Sequence, residues 1–352
     1  VEPRSKKPTL KTIANALGLG VTTVSRALRD DAKISAATRK SVQEMARKLC
    51  YQPSRAGLRL RTGKTNVVSL VLDTEEQMGS FLSQIIFGIT EGLEGTPYHL
   101  IVTPYSKHGD PLAPIRHLVE TEAVDGIIIS RIEPEDVRVK YMIDQGMPFV
   151  THGRTQIGVE HPYFDFDNHA FAKLAVDCLA RLGRRRLALL APPPGLSFHD
   201  HTGQGFRAAI REHGLEEVPI QGISNDSSIG QIRRAVRTMM QQSRPPDGLI
   251  NSSGGVSGTG GAILAIQAGL KDAGAVIGRD VDIVTKQLFA NLPVFGDAFY
   301  VVHEDVRQTG YGLAKALLGA IEGRPVCDLQ TLIVPTEVTL QSTTESPEQM
   351  PV

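Results

Sequence analysis

Apolar residues recur at helical spacing near the start of the chain. Leu10, Ile13, Ala14 and Leu17 share one face, Gly18 interrupts, and Val21, Val24 and Leu28 resume the pattern. This predicts two short helices joined by a glycine turn. Ser35 is a candidate N-cap for a third helix, which carries Val42, Met45, Ala46 and Leu49 until Tyr51-Gln52-Pro53 stops it. Three helices in about 45 residues make a compact all-α unit. The stretch from Ser54 to Thr65 is too basic for a core and reads as a linker able to become helical.

Beyond the linker the pattern changes to short buried runs alternating with amphipathic segments. Val67–Leu72, Leu100–Thr103, Gly126–Ser130 and Phe149–Thr151 read as strands, with helices at Phe81–Glu94, Ile115–Glu122 and Asp136–Gln145 between them. The alternation starts again with helices at Ala170–Leu182, Gly205–His213, Ile229–Gln242 and Ala262–Ala273 around strands at Leu187–Ala191, Leu249–Asn251 and Val281–Thr285. A strand at Tyr300–Val302, a helix at Val306–Glu322 and a strand at Leu332–Val334 follow, with a polar end from Gln341. Serial βα units predict parallel sheets covered by helices on both faces. There are enough for two open α/β sheets, with a ligand cleft beyond the carboxyl ends of their strands.

Charge sharpens this division. The 352 residues carry 38 basic and 38 acidic side chains, but residues 1–66 hold 15 Lys and Arg against Glu2, Asp30, Asp31 and Glu44. That leaves +11 on the first segment and −11 on the rest, so the helical unit is built to meet a polyanion. No apolar run approaches the roughly 20 residues that span a bilayer, and the basic start lacks a following signal-type stretch, so a cytoplasmic protein is expected. Cys50, Cys178 and Cys327 form no Cys-x-x-Cys pair, which argues against a disulfide framework or zinc ribbon. With Trp absent and aromatics at 5%, the core must rest on Leu, Ile, Val and Ala.

The spacing from Leu10 to Leu28 is that of a helix-turn-helix, whose second helix enters the major groove. Val21, Thr22 and Arg26 project outward from that helix while Val24 and Leu28 turn inward. Arg26 can contact guanine O6 and N7 together, and Val21 and Thr22 can touch a thymine methyl or make one hydrogen bond. His199-Asp200-His201 lacks a further ligand to complete a metal set, and the glycine-rich run Gly254–Gly261 lacks the Gly-Lys-Ser/Thr of a phosphate cradle. Neither a metal nor a cofactor is expected. No hydrolase elbow or zinc-protease motif occurs, so an enzyme is not expected either.

These residues carry a resemblance. Thr12-Ile13-Ala14, Leu19, Thr23-Val24-Ser25-Arg26, Leu28, Ile34-Ser35, Thr38-Arg39, Val42, and Tyr51 with Pro53 stand as they do in the lactose-repressor (LacI/GalR) family of bacterial transcription regulators, which the chain resembles. The likeness runs to about Thr344. It implies a multidomain protein: an all-α helix-turn-helix domain (1–52), a hinge helix or linker (53–65), a two-lobed α/β periplasmic-binding-protein-like domain for effector binding and dimerisation (66–344), and a polar tail (345–352). The implied DNA contacts are Leu10, Lys11, Thr12, Val21, Thr22, Thr23, Ser25, Arg26 and Ser35, with Ser54, Arg55 and Leu60 in a hinge that drives a leucine into the minor groove. Gly20 departs from the usual Ser at the start of the recognition helix. It remains an acceptable N-cap.

Carried over residue by residue, the implied effector contacts are Ser80, Phe81, Ser83, Ser130, Arg131, His152, Arg154, His199, Thr202, Ser253, Gln287 and Glu304. Thr202, Ser252-Ser253 and Gln287 replace charged residues common in the family, which points to a neutral effector held by amides, hydroxyls and histidines. Gly95–Tyr105 and His152–Thr155 look most like rhizobial-type regulators of α-glucoside use. The expected function is a repressor of a sugar-utilisation operon. Its partners would be double-stranded operator DNA, a small sugar and a second copy of the chain, with no membrane. An activator of the same family, or a solute-binding protein without a DNA role, are the alternatives. The segment from Thr339 onward has no leucine heptad and contains Pro347 and Pro351, so a dimer and not a tetramer is expected.

Overall fold

The computed structural model describes the chain apart from residues 1–7, 52–58, 60–62, 74–79, 107–108, 253–260, 288–297, 343–344 and 350–352. The chain divides into two compact units, Val1–Thr65 and Asn66–Val352. The first contains α1 (Leu10–Leu17), α2 (Val21–Ala27) and α3 (Ala36–Lys48) around a core of Ile13, Ala14, Val24, Ala27, Val42 and Ala46. Gly18 ends α1 in the left-handed conformation (φ 63°), its N–H donating to the Ala14 carbonyl. The turn between the two helices depends on that glycine.

The second unit has two lobes. In the first, β1 (Val67–Asp73), β2 (His99–Tyr105), β3 (Gly126–Ile129), β4 (Phe149–His152), β5 (Tyr163–Phe166) and β11 (Gln330–Ile333) form a parallel sheet in the order β11-β5-β4-β3-β1-β2. The helices α4 (Ser80–Leu93), α5 (Ala113–Glu120) and α6 (Val137–Asp144) lie between its first strands in sequence. Strand alternation sends Val68, Leu70 and Leu72 into one core and Val71 into the other, so both faces are covered.

The second lobe has seven strands in the order β13-β12-β10-β9-β8-β6-β7. These are β6 (Arg186–Leu190), β7 (Glu216–Glu217), β8 (Gly248–Asn251), β9 (Asp282–Gln287), β10 (Phe299–His303), β12 (Thr339–Ser342) and β13 (Glu345–Gln349). Its helices are α7 (Asn168–Arg181), α8 (Ser197–His213), α9 (Ile229–Met240) and α10 (Gly261–Asp272), and Leu249 and Ile250 again point into opposite cores.

Three crossovers join the lobes: Phe166 to Asn168, His303 to Val306, and Ile333 to Thr339. After the second, α11 (Val306–Ile321) returns to pack on α4 and on β3, β4 and β5 of the first lobe. The two helices meet through glycines. A methyl at Gly88 would strike the Arg307 carbonyl, and one at Gly310 the Ile85 carbonyl.

The structure departs from the sequence reading in several places, among them the short strands β7 and β12, which no apolar run announces. Strand β5 was not anticipated, because four residues that include the buried Asp165 give too short and too polar a signal. Helix α8 begins at Ser197 and not at Gly205, because its polar first turns are partly buried where the lobes meet. The segment read as a polar tail contains β13, antiparallel to β12 at the edge of the sheet, where Pro347 is tolerated.

Two of the crossovers converge on one buried ammonium. Lys286, at the end of β9, places Nζ 2.9 Å from Asn168 Oδ1 and 2.7 Å from Glu304 Oε2, with the rings of Phe166 and Phe171 at 5.0 and 5.9 Å. Burial alone would raise the Glu304 pKa, but Lys286 and then His152 outweigh it and bring the carboxyl down to about 2. Because that pKa lies below the unfolded value near 4.5, the pair's contribution is full above about pH 4.5 and is lost as pH falls towards 2.

Lys286→Met leaves Glu304 buried without its ammonium and should cost about 3–5 kcal/mol at pH 7 in urea unfolding. Glu304 is then easier to protonate, so the deficit relative to wild type should shrink at pH 4. Adding Glu304→Gln should recover most of the loss. A deficit independent of pH would show that the charge pairing is not what Lys286 contributes.

Candidate nucleic-acid interface and effector cleft

On α2, Val21 is 44% exposed and Thr22 is exposed, while Val24 and Ala27 are fully buried. Val21 and Thr22 therefore lie on the outer face, as the spacing predicts. Gly20 is the N-cap and supplies no side-chain bond. Arg26 is half-buried, with Nε donating to Asp31 at 2.8 Å. The Arg26 guanidinium, and then the Lys33 N–H, hold the Asp31 carboxyl below its usual range. Asp31 is a residue that the sequence reading missed. A guanidinium anchored through Nε has less rotamer freedom to lose on meeting a base.

Lys11 and Thr12 are exposed on α1, Leu10 is half-buried, and Thr23 and Ser25 are half-buried on α2. Thr12 also helps to start its own helix, because Thr9 and Thr12 cap each other's backbone N–H groups at 3.0 and 3.3 Å. Ser35 caps α3 by accepting the Thr38 N–H at 3.2 Å. Ser54, Arg55 and Leu60 lie outside the described residues.

In the two-lobed unit, cross-lobe contacts show that the carboxyl ends of the sheets face each other. His152 Nε2, at the end of β4, is 3.8 Å from Glu304 Oε1 and its ring stacks on Phe81 with centroids 6.0 Å apart. Arg131, after β3, donates to Asp226 of the second lobe at 3.0 Å. The Ser197 N–H donates to the Ile132 carbonyl at 2.8 Å. Arg154 donates to Asp165 at 2.7 Å. Burial pushes the Asp165 pKa up, with Arg154 opposing it.

His201 stands close enough to sense both of these charges. Burial and then the positive Arg154 hold its pKa down, so it is neutral at pH 7, and Nδ1 is buried with no hydrogen-bond partner among the described residues. Asn251 donates to Thr285 at 3.0 Å and Asn225 to Ser252 at 3.2 Å. The Oδ1 atoms of both amides are buried without a partner among the described residues. Buried polar atoms left unpaired are groups that a hydroxylated ligand or water can satisfy.

The implied effector residues divide accordingly. Phe81, His152 and Glu304 come together, Arg154 is paired with Asp165, and Ser130 is buried beside Arg131. Thr202 is fully buried and its hydroxyl donates back to the Phe198 carbonyl at 2.6 Å, within α8. His199 uses Nδ1 to donate to the Pro192 carbonyl at 2.7 Å. Ser83 is exposed on α4, Ser80 opens that helix, Gln287 ends β9, and Ser253 lies outside the described residues.

Sequence reasoning missed Asp165, Lys286, Asp226, His201, Asn225 and Asn251. Of the charged groups here, Arg131, Arg154 and Glu304 were among the expected contacts, and the structure pairs each with an opposite charge, as Arg131–Asp226, Arg154–Asp165 and Lys286–Glu304.

Residues 9–54 match the family described as bacterial regulatory proteins, lacI family. Residues 65–334 match that of periplasmic binding proteins and the sugar binding domain of LacI family. The HTH-type transcriptional regulator RafR of Escherichia coli is 34% identical over 261 residues, covering 73% of this chain and 76% of its own. AglR of Rhizobium meliloti (strain 1021), also an HTH-type transcriptional regulator, is 29% identical over 357 residues, covering 97% and 96%.

Among solved structures, a lac repressor dimer bound to operator and an anti-inducer has a TM-score of 0.80 at 19% identity, covering 97% of this chain and all of that one. A CelR–cellobiose complex has a TM-score of 0.62 at 23% identity, covering 95% and 98%. These two likenesses establish the fold. With a helix-turn-helix match at one end and a sugar-binding-domain match over most of the remainder, the chain belongs to the LacI family of bacterial regulatory proteins.

Proposed function

We propose that this protein is a cytoplasmic transcription regulator that binds operator DNA as a homodimer and represses a sugar-utilisation operon until a neutral carbohydrate enters the cleft. The observation that carries the reading is the presence, in one chain, of an exposed recognition face on α2 and a two-lobed unit of sugar-binding type. Among the described residues of the cleft, Arg131, Arg154 and Lys286 each already face a carboxylate, which disfavours an anionic effector such as a sugar phosphate. Phe81 stacked on His152 offers an apolar face to a sugar ring, and neutral His201 with the two amides offers hydrogen bonds to its hydroxyls. The cellobiose in the CelR complex supports a sugar of more than one ring. An α-glucoside is the first class to try.

On the DNA side, Val21, Thr22 and Arg26 read bases, while Lys11 and the other exposed cations meet phosphates. Leu60 of the hinge segment Ser54–Arg61 wedges into the minor groove. Effector binding alters the angle between lobes and so shifts the equilibrium between states of high and low operator affinity.

Selection of duplexes from a random pool should return a near-palindrome. Affinity for it should fall by about 10³ to 10⁵ between roughly 50 and 200 mM salt if each dimer neutralises about 6 to 10 phosphates. Arg26→Ala should cost about 1–3 kcal/mol and relax preference at one base pair per half-site, whereas Lys11→Ala should weaken all sequences alike. Asp31→Asn should relax the same base pair to a lesser degree. Equal losses on selected and random DNA for Arg26→Ala would assign that residue to phosphate.

In a thermal-shift series of neutral and phosphorylated mono- and disaccharides, a neutral one should raise the melting temperature. A response confined to phosphorylated sugars would contradict the proposed effector class. Light scattering should report about twice the 38.1 kDa chain mass.

A further inference from the structure

Arg131 and Asp226 lie 95 residues apart in sequence and in different lobes, the first after β3 and the second in the loop between β7 and α9. Their side chains are 15% and 20% exposed, so the 3.0 Å pair is largely shielded from solvent. Arg131 has φ 53°, a left-handed conformation uncommon outside glycine. The turn is fixed from behind by Arg138, whose Nη2 donates to the Ser130 carbonyl at 3.2 Å and the Arg131 carbonyl at 2.9 Å. Arg138 is itself held by Asp136 at 2.9 and 2.6 Å. At the other end, the Asn225 N–H donates to the Ala191 carbonyl at 2.9 Å, which fixes Asp226 beside the end of β6.

Position gives this pair its leverage. The crossover into α11 leaves from β10, and β6 is three strands away in the sheet order. At about 4.8 Å per strand the tie stands roughly 14 Å from that pivot. An opening of roughly 10° there moves the partners apart by about 2 to 3 Å, enough to break a hydrogen bond, while groups at the crossover scarcely move.

We propose that Arg131 and Asp226 are positioning residues that latch the lobes at a place remote from their pivot. The pair thereby sets how readily the cleft opens and how strongly an effector must bind to switch the protein. The structural part stands without any ligand. The functional part rests on the reading of the cleft as an effector site.

The full-length chain is compared with Arg131→Gln, Asp226→Asn and the double variant, without DNA or sugar, by small-angle scattering and amide hydrogen exchange. Each single variant should raise the radius of gyration. Each should also speed exchange at the Ser197 amide, which donates across the lobes, by about tenfold or more. The double variant should do no more than either single, because one broken tie cannot be broken twice. Singles that scatter and exchange as wild type does, or changes that add in the double, would overturn the proposal.

Asp226 lies in a loop outside both sheets, so Asp226→Asn decides the matter alone should Arg131→Gln fail to fold. In a second arm, raffinose, maltose and cellobiose are titrated against a selected operator complex. Any sugar that shifts wild-type binding should shift the two singles and the double at a concentration changed by one common factor. If no sugar acts on wild type, the effector reading fails for these sugars, and the scattering and exchange result still decides the latch.

Discussion

An ammonium taken out of water has to be surrounded by oxygen and aromatic faces, and in this protein that requirement falls where the two lobes join. Lys286 finds Asn168 in one crossover and Glu304 in another, with Phe166 and Phe171 beneath it. Satisfying one charge therefore fixes the start of α7, the approach to α11 and the end of β9 against each other. Glu304 carries the constraint further, because its second oxygen faces His152 of the first lobe, and His152 stacks on Phe81. Phe81, His152 and the join between the lobes are thus parts of one network, through which the proposed effector would act on the pivot.

The two units solve opposite problems. In the helical unit, six small or branched apolar side chains form the core and leave cations, Val21 and Thr22 on the outside, which suits a surface that must displace counterions and touch base edges. In the two-lobed unit, charges are drawn inward and paired until little net charge faces the cleft. On the proposed reading, that arrangement disfavours an anionic effector and suits a polyol.

What could be read from the sequence follows the range of the interactions involved. The helix-turn-helix depends on spacing within about twenty residues, on Gly18 and on the Ser35 cap, all local signals. The central strands of both sheets announce themselves by apolar runs, whereas β5, β7, β12 and β13 do not: Asp165 interrupts a run only four residues long, Glu216–Glu217 is a pair of acids, and the last two are short and polar. Lys286, Asp226 and Asp165 looked like ordinary charges. Lys286 and Asn168 are 118 residues apart, and no periodicity links residues that the fold brings together from such a distance. Thr202 and His199 were placed in the cleft by resemblance alone, and their side chains are taken up by α8 and the loop before it. Asp31 was counted as one of the four acids in a basic segment, when its contact with Arg26 is its informative feature.

If the cleft and the DNA-reading unit share one equilibrium, filling either site must change the affinity of the other. The affinity of the full-length protein for a selected operator is measured with and without a saturating sugar, and the affinity for that sugar with and without saturating operator. Each ligand should change the other's dissociation constant by the same factor, at least about fivefold. Two constants that each stay unchanged when the other site is filled would mean that the cleft and the recognition helix work independently, and the shared equilibrium would have to be abandoned.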